Sequence, residues 1–246
     1  MGSMSIARSL LYGFVNLLHP RMLWLMVWPM LISLAIWGTA AIALWVRTAV
    51  WLGGVLQQWL AAAPFVARFD LGDATLVAAH VVLFLLFVPL VYLTALFILG
   101  VFGMQAMVDH VARRSYPQLE RRRGGGVAGS VWNGCVALAG MLLLGLASLP
   151  LWLVPPLWPL ITVAILGWVN QRLLRYDALA EHADAAEMQR VFRGRRRAPM
   201  YTLGVLLALV AYVPLVGFLA PVAFGLAFIH YLLGVLAAER AVPAGD

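Results

Sequence analysis

Residues 198–238 read APMYTLGVLLALVAYVPLVGFLAPVAFGLAFIHYLLGVLAA and contain no charged side chain. Roughly 20 apolar residues suffice for a helix to cross the membrane's hydrocarbon core, which is about 30 Å thick, so this stretch is too long for one crossing. Pro214 and Pro221 interrupt its middle, and proline breaks a helix because it lacks a backbone donor. The arms Pro199–Val213 and Val222–Ala238 would measure about 22 and 26 Å. Because both are shorter than the core, we predict a re-entrant hairpin over residues 199–238.

Three further stretches carry no charge, namely Met22–Val46, Ala74–Val108 and Gly124–Gln171. The first predicts a transmembrane helix over residues 22–46, and the second predicts a long one over residues 74–108. The third contains four prolines near its middle, so residues 128–172 form a helical hairpin that either is re-entrant or spans the membrane twice. The predicted fold is therefore an all-α integral membrane protein with a single membrane domain over residues 1–246. It has two long transmembrane helices and two proline-broken hairpins, at least one of them re-entrant.

Two segments outside the charge-free stretches have amphipathic patterns. Residues 5–18 predict a helix that either lies along the lipid headgroups or packs on the cytoplasmic face of its own protein. Residues 176–193 predict a second amphipathic helix on the cytoplasmic surface. Asp177, Glu181 and Asp184 would form an acidic stripe along it, because their spacing is i, i+4 and i+7. Residues 47–73, which contain Gly53, Gly54 and Pro64, are expected to form a loop.

The composition requires a lipid environment and indicates an orientation. Hydrophobic residues make up 64% of the chain and charged residues only 11%, whereas about a quarter of the residues of soluble proteins are charged. The net charge is +7, and all 17 basic residues are arginine. Fifteen of them fall on one side if both proline-broken stretches return to the side they left. Because cytoplasmic loops collect basic residues, both termini are expected in the cytoplasm. The lipid bilayer is the expected partner, and nucleic acid is not.

Candidate functional residues are few. The histidines show no metal-ligand spacing, no catalytic motif is present, and we expect neither enzymatic activity nor a cofactor. Four polar residues lie within the apolar stretches: Gln105, Asn133, Asn170 and His230. Unpaired polar groups are costly in hydrocarbon, so these side chains should face the protein interior. They would line a permeation path or form hydrogen bonds between helices.

The start of the first apolar stretch offers a candidate anion site at Arg21, Met22 and Leu23. A helix N-terminus presents free N–H groups and a partial positive charge, and Arg21 adds a full charge. The alternative is that Arg21 only anchors the helix at the membrane interface.

Several motifs together resemble one known family. They are GFVNLLHP at residues 13–20 with Trp28-Pro29, YDALAEHA at residues 176–183, VPLVGFLAP at residues 213–221, and His230-Tyr231. Their order resembles the CysZ sulfate permeases and the wider group of the etoposide-induced protein domain. The resemblance implies two membrane-crossing helices, two partly penetrating hairpins and a homo-oligomer in the bacterial inner membrane.

The same resemblance implies passive uptake of sulfate or another small anion, without a nucleotide-driven motor. The sulfate site of the family is a Gly-Leu-Arg-Arg type sequence just after the proline that opens the first span. The corresponding residues here are Pro20-Arg21-Met22-Leu23-Trp24, with a single arginine and no glycine. The alternative function is a non-transporting oligomeric scaffold of the same family.

Overall fold

The computed structural model describes residues 5–62, 72–193, 197–213 and 216–241, and regular structure in this part of the chain is entirely helical. The α-helices are α1 (Ile6–Leu17), α2 (Pro20–Ala61), α3 (Gly72–Ser115), α4 (Val127–Ala147), α5 (Trp158–Leu179), α6 (Ala185–Arg193), α7 (Arg197–Ala211) and α8 (Val216–Arg240). Two short 3₁₀ turns, Leu149–Leu153 and Pro155–Leu157, connect α4 to α5. The helices form two compact units, the hairpin unit (Trp24–Val101) and the core unit (Met1–Leu23 and Phe102–Asp246).

Five apolar helical segments are long enough to cross a membrane. They are Pro20–Ala61, Gly72–Gly100, Val127–Ala147, Pro155–Leu179 and Leu219–Arg240. This set identifies a multi-pass membrane protein and confirms the all-α membrane class predicted from the sequence. The apolar α7, with 15 residues, is shorter.

The hairpin unit consists of antiparallel parts of α2 and α3. The Trp37 indole Nε1 donates a hydrogen bond of 2.9 Å to the Thr94 hydroxyl, and the rings of Trp45 and His80 lie 6.3 Å apart. Trp45 follows Trp37 on α2, whereas its partner His80 precedes Thr94 on α3. The two helices therefore run in opposite directions.

Both long helices extend beyond their predicted limits. We expected the first span to end at Val46 and a loop to begin at Arg47, but α2 continues to Ala61. Arg47 ends the charge-free stretch but does not end the helix, because arginine is a good helix former. The following residues Thr48–Ala61 contain no proline. The predicted loop residues 63–71, including Pro64, lie outside the described part.

The core unit is built around α8. Every residue from Val222 to Leu236 is buried, and α1, α5, α6 and α7 pack against this helix. A helix that is apolar on all sides has to be surrounded, and here the chain itself supplies much of the surrounding surface. The predicted amphipathic helix at residues 5–18 matches α1, whose N-cap Ser5 accepts a hydrogen bond from the Arg8 backbone N–H. Helix α1 packs on α8, which is the contact that one of the two alternatives required; its position relative to the lipid headgroups stays a prediction.

The second predicted hairpin is asymmetric. Helix α7 has 15 residues and α8 has 25, with Pro221 inside α8 rather than at its start. Pro221 is the sixth residue of α8, where proline removes one backbone hydrogen bond and crowds the carbonyl four residues before it, at a cost of about 3 kcal/mol. Burial of the apolar residues that follow offsets this cost. The arm predicted as Val222–Ala238 is therefore longer than expected, at about 37 Å. The premise that both arms are shorter than the hydrocarbon core is wrong for α8, which is long enough to cross it. Pro214 lies outside the described residues.

The predicted helix over residues 176–193 is interrupted. Helix α5 continues to Leu179, the chain turns, and α6 begins at Ala185. A reciprocal pair of hydrogen bonds starts the new helix: the Glu187 backbone N–H donates to Asp184 Oδ1 at 2.8 Å, and the Asp184 N–H donates to Glu187 Oε2 at 2.9 Å. This is a capping box. The predicted acidic stripe does not form, because Glu181 and Asp184 lie in the turn.

Candidate functional site

The first turn of α2 places the predicted anion-site residues in different environments. Arg21 is exposed, Met22 is only 3% exposed, and Leu23 is 40% exposed. His19 caps the helix. Its Nδ1 accepts the Arg21 backbone N–H at 3.3 Å, and its carbonyl oxygen accepts those of Met22 and Leu23. The backbone donors that we expected to be free for an anion are therefore bonded within the turn, and the Arg21 guanidinium is the remaining donor group.

Two residues of α3 join this turn and were not predicted. The His110 ring lies 4.7 Å from the His19 ring, and its Nε2 is buried without a hydrogen-bond partner among the described residues. Burial lowers the pKa of His110, and the charges of His19, Arg114 and Arg21 lower it further. We call His19, Arg21, His110 and Arg114 the Arg21 cluster. The i, i+4 spacing of His110 and Arg114 on one helix face was the sequence feature that could have indicated their common position.

Two of the predicted polar residues form hydrogen bonds between helices. Asn133 on α4 is 6% exposed, and its amide donates to the Arg172 carbonyl oxygen on α5 at 2.9 Å. The Asn170 amide on α5 donates to the Gly204 carbonyl oxygen on α7 at 3.4 Å. These bonds correspond to the interhelical alternative left open by the sequence.

The prediction that Gln105 faces the interior is wrong for the single chain, because this side chain is exposed. It lies on a face of α3 that also carries the 60%-exposed Phe102.

His230 is buried at 7% exposure and connects three segments of the core unit. Its Nδ1 lies 3.3 Å from the Ser9 hydroxyl, and its ring stacks on the Tyr12 ring of α1 at 4.0 Å. The Tyr116 hydroxyl donates to the His230 carbonyl oxygen at 3.0 Å. His230 therefore faces the interior as predicted, in contact with the amphipathic helix.

An ion-pair network fixes the end of α8 and was not predicted. Arg240 binds both carboxylate oxygens of Glu187 at 2.9 and 2.8 Å, and Arg122 donates to the same carboxylate at 2.9 Å. Arg240 also donates to the His182 carbonyl oxygen at 2.6 Å. The Glu187 side chain is 4% exposed. Hydrogen bonding to Arg240 outweighs burial and lowers the pKa of Glu187 to about 2.

A family comparison matches most of the chain. The family model described as Sulfate transporter CysZ/Etoposide-induced protein 2.4 matches residues 9–221. The chain belongs to this family. The CysZ/etoposide-induced match covers the Arg21 cluster and both hairpin turns, and ends at Pro221, before the buried part of α8. No curated protein and no solved structure matches the chain.

Proposed function

We propose that this protein is a passive permease for sulfate or a related small oxyanion in the bacterial inner membrane. The observation that carries the proposal is the Arg21 cluster, which gathers two arginines and two histidines at the opening of the first membrane helix. The description of the family names a sulfate transporter, and Arg21 lies in the segment after the proline where that resemblance expects two arginines, although it is shifted towards the proline and stands alone.

The chemistry of the cluster suits a tetrahedral oxyanion. The exposed Arg21 guanidinium presents a planar fork of donors that matches two oxygens of such an anion. The buried His110 Nε2 lacks a partner among the described residues, so an anion oxygen beside it would satisfy it. A single arginine at this turn favours weak, reversible binding, as a permeation site requires.

The lengths of α5 and α7, in the two proline-broken hairpins α4–α5 and α7–α8, support an architecture that penetrates only part of the membrane. The three arginines Arg172, Arg175 and Arg197 line one cavity, and we take this cavity as the reference level. From Arg172 to the turn at Trp158, and from Arg197 to the turn after Ala211, the helices extend only about 20 to 22 Å. Arginine is costly inside hydrocarbon and settles at the interface. With that level at the interface, both turns end inside a core of about 30 Å.

The position of α8 is consistent with the same placement in the membrane. His230 lies about 21 Å along α8 from its start at Val216, and the amphipathic α1 packs around it. The remaining residues, up to Arg240, would project into the headgroup layer and cytoplasm, where the Glu187 carboxylate binds both Arg240 and Arg122. The basic segments and both termini are accordingly cytoplasmic in this proposal.

The exposed polar side chain of Gln105 on a membrane helix supports assembly into a homo-oligomer. A second copy covering this side chain would remove the polar amide from lipid.

Uptake of radiolabelled sulfate into proteoliposomes tests this function. The unaltered protein should give uptake above that of empty vesicles, and Arg21→Gln should reduce it at least tenfold. Arg113→Gln is the matched control, because this arginine is on the same segment of α3 as His110 and its side chain is 74% exposed. Sulfate and phosphate uptake no faster than in empty vesicles would contradict the permease proposal and favour the scaffold.

A further inference from the structure

A second basic cavity lies between α5 and α7, apart from the Arg21 cluster. Its volume is about 450 Å³, and the lining includes Trp168, Gln171, Arg172, Arg175, Arg197 and Tyr201. The four residues from α5 are spaced i, i+3, i+4 and i+7, so they share one helix face. Arg197 and Tyr201 are on the first two turns of α7, where they face the α5 residues.

The helix packing beside the cavity makes its shape well defined. Gly167 of α5 and Gly204 of α7 meet so closely that a Cβ on Gly204 would overlap the Gly167 carbonyl oxygen. The Tyr201 hydroxyl donates to the Ala164 carbonyl oxygen at 3.2 Å. This crossing holds the two arginine-bearing faces at a fixed separation.

Positive charge in the cavity lacks a counterion in the described part of the chain. The Nε atoms of Arg172 and Arg175 are buried without a hydrogen-bond partner there, and no described carboxylate lines the cavity. The Gln171 side chain, at 7% exposure, also borders it. Buried guanidinium donors without acceptors are costly, and an anion in the cavity would remove that cost.

Contacts with α6 orient two of the arginines. The Arg175 guanidinium lies 4.7 Å from the centre of the Phe192 ring, and Arg197 Nε donates to the Phe192 carbonyl oxygen at 3.0 Å. Neither the Phe192 ring nor its carbonyl oxygen carries a formal negative charge, so neither neutralises an arginine. They hold the arginines in position and leave guanidinium donors for a ligand.

We propose that this cavity is an oxyanion site for a sulfate or phosphate group, held by Arg172, Arg175 and Arg197. The group is either a free anion or the phosphate of an anionic lipid headgroup. Arginine suits this chemistry because its donors match tetrahedral oxyanions, and basic pockets between membrane helices bind lipid headgroups. Trp168 and Tyr201 are side-chain types that favour the membrane interface, where such a headgroup would lie.

The test uses the full-length protein in detergent with two probes. Native mass spectrometry measures retained phosphatidylglycerol against phosphatidylcholine, and isothermal titration measures sulfate binding. The Arg172→Gln/Arg175→Gln variant should lose binding of one probe at least tenfold. If this variant loses phosphatidylglycerol, the site binds a lipid headgroup. If it loses a sulfate-binding site that Arg21→Gln retains, the site binds the free anion. The control Arg190→Gln/Arg193→Gln removes the same charge from exposed positions on α6.

Folding is checked by circular dichroism and size-exclusion chromatography. If the double variant misfolds, Arg197→Gln replaces it, since Arg197 is exposed and at the first position of α7. The proposal is overturned if the folded variants and the α6 control bind both probes equally. Failure of sulfate flux through the Arg21 cluster would leave this result unaffected, so the two proposals can fail separately.

Discussion

The Glu187 carboxylate gives the sharpest stability prediction. Arg240 and Arg122 bind it while its side chain is 4% exposed, so Glu187→Gln leaves two arginines short of their counterion. A pKa lowered from an ordinary 4.5 to about 2 corresponds to about 3 kcal/mol. Breaking a buried ion pair by removing one partner costs about 3–5 kcal/mol. The two magnitudes agree.

Local opening measured by hydrogen exchange is the appropriate assay, because the network closes α6 onto the end of α8. A loss of about 3 kcal/mol should raise amide exchange in residues 185–193 about 100-fold. Glu120→Gln is the matched control: it makes the same change of charge, but its side chain is 79% exposed and its only described ion pair, with Arg122, is 4.0 Å long. Exchange in Glu187→Gln within threefold of that control would refute the reasoning.

The same network predicts a direction for the effect of pH. The pKa of Glu187 is depressed in the folded protein, so its contribution is fully present above about pH 4.5. It should be lost progressively as the pH falls from there towards 2. The protection of residues 185–193 against exchange should follow this range in the unaltered protein and be flatter in Glu187→Gln.

Two further predictions concern packing and binding. Gly204→Ala should destabilise the protein by about 1–3 kcal/mol, because the new Cβ overlaps the Gly167 carbonyl oxygen. This loss is measured as a lower melting temperature in detergent. The control Gly134→Ala, whose new Cβ meets nothing within 4 Å, should be neutral or stabilising, and equal effects of the two substitutions would contradict the packing. Sulfate binding at the Arg21 cluster should tighten as the pH falls from 7 to 5, because a bound anion raises the lowered pKa of His110 and favours its protonation. Titration calorimetry measures the change of sulfate affinity with pH. The same change in His110→Gln would exclude this histidine as its cause.

The sequence was informative where apolar length and proline dominate the energetics. Charge-free stretches predicted the membrane helices, and prolines located the turn between α4 and α5. It was less reliable at helix ends, because Arg47 ends an apolar stretch without ending α2. The turn before α6 was missed although Asp184 and Glu187 have capping-box spacing, since the acidic residues were interpreted as one helical face.

The site depends on contacts that local patterns do not contain. Glu187 and Arg240 are 53 positions apart, and His19 meets His110 from another helix. The exposure of Gln105 follows from which faces the other helices cover, which only the folded chain reveals. Local spacing predicted which residues share a face, and tertiary packing determined which faces meet.

The central claim is that the hairpin of α7 and α8 turns inside the bilayer, and cysteine labelling at Val213 tests it most directly. Val213 lies at the turn and is 49% exposed. In a Cys135→Ser background, Val213→Cys should resist a membrane-impermeant maleimide added to the outside of intact cells. Ala62→Cys, at the end of α2, should react from outside, and Arg113→Cys should react only after permeabilisation. Rapid labelling of Val213→Cys from outside would contradict the account.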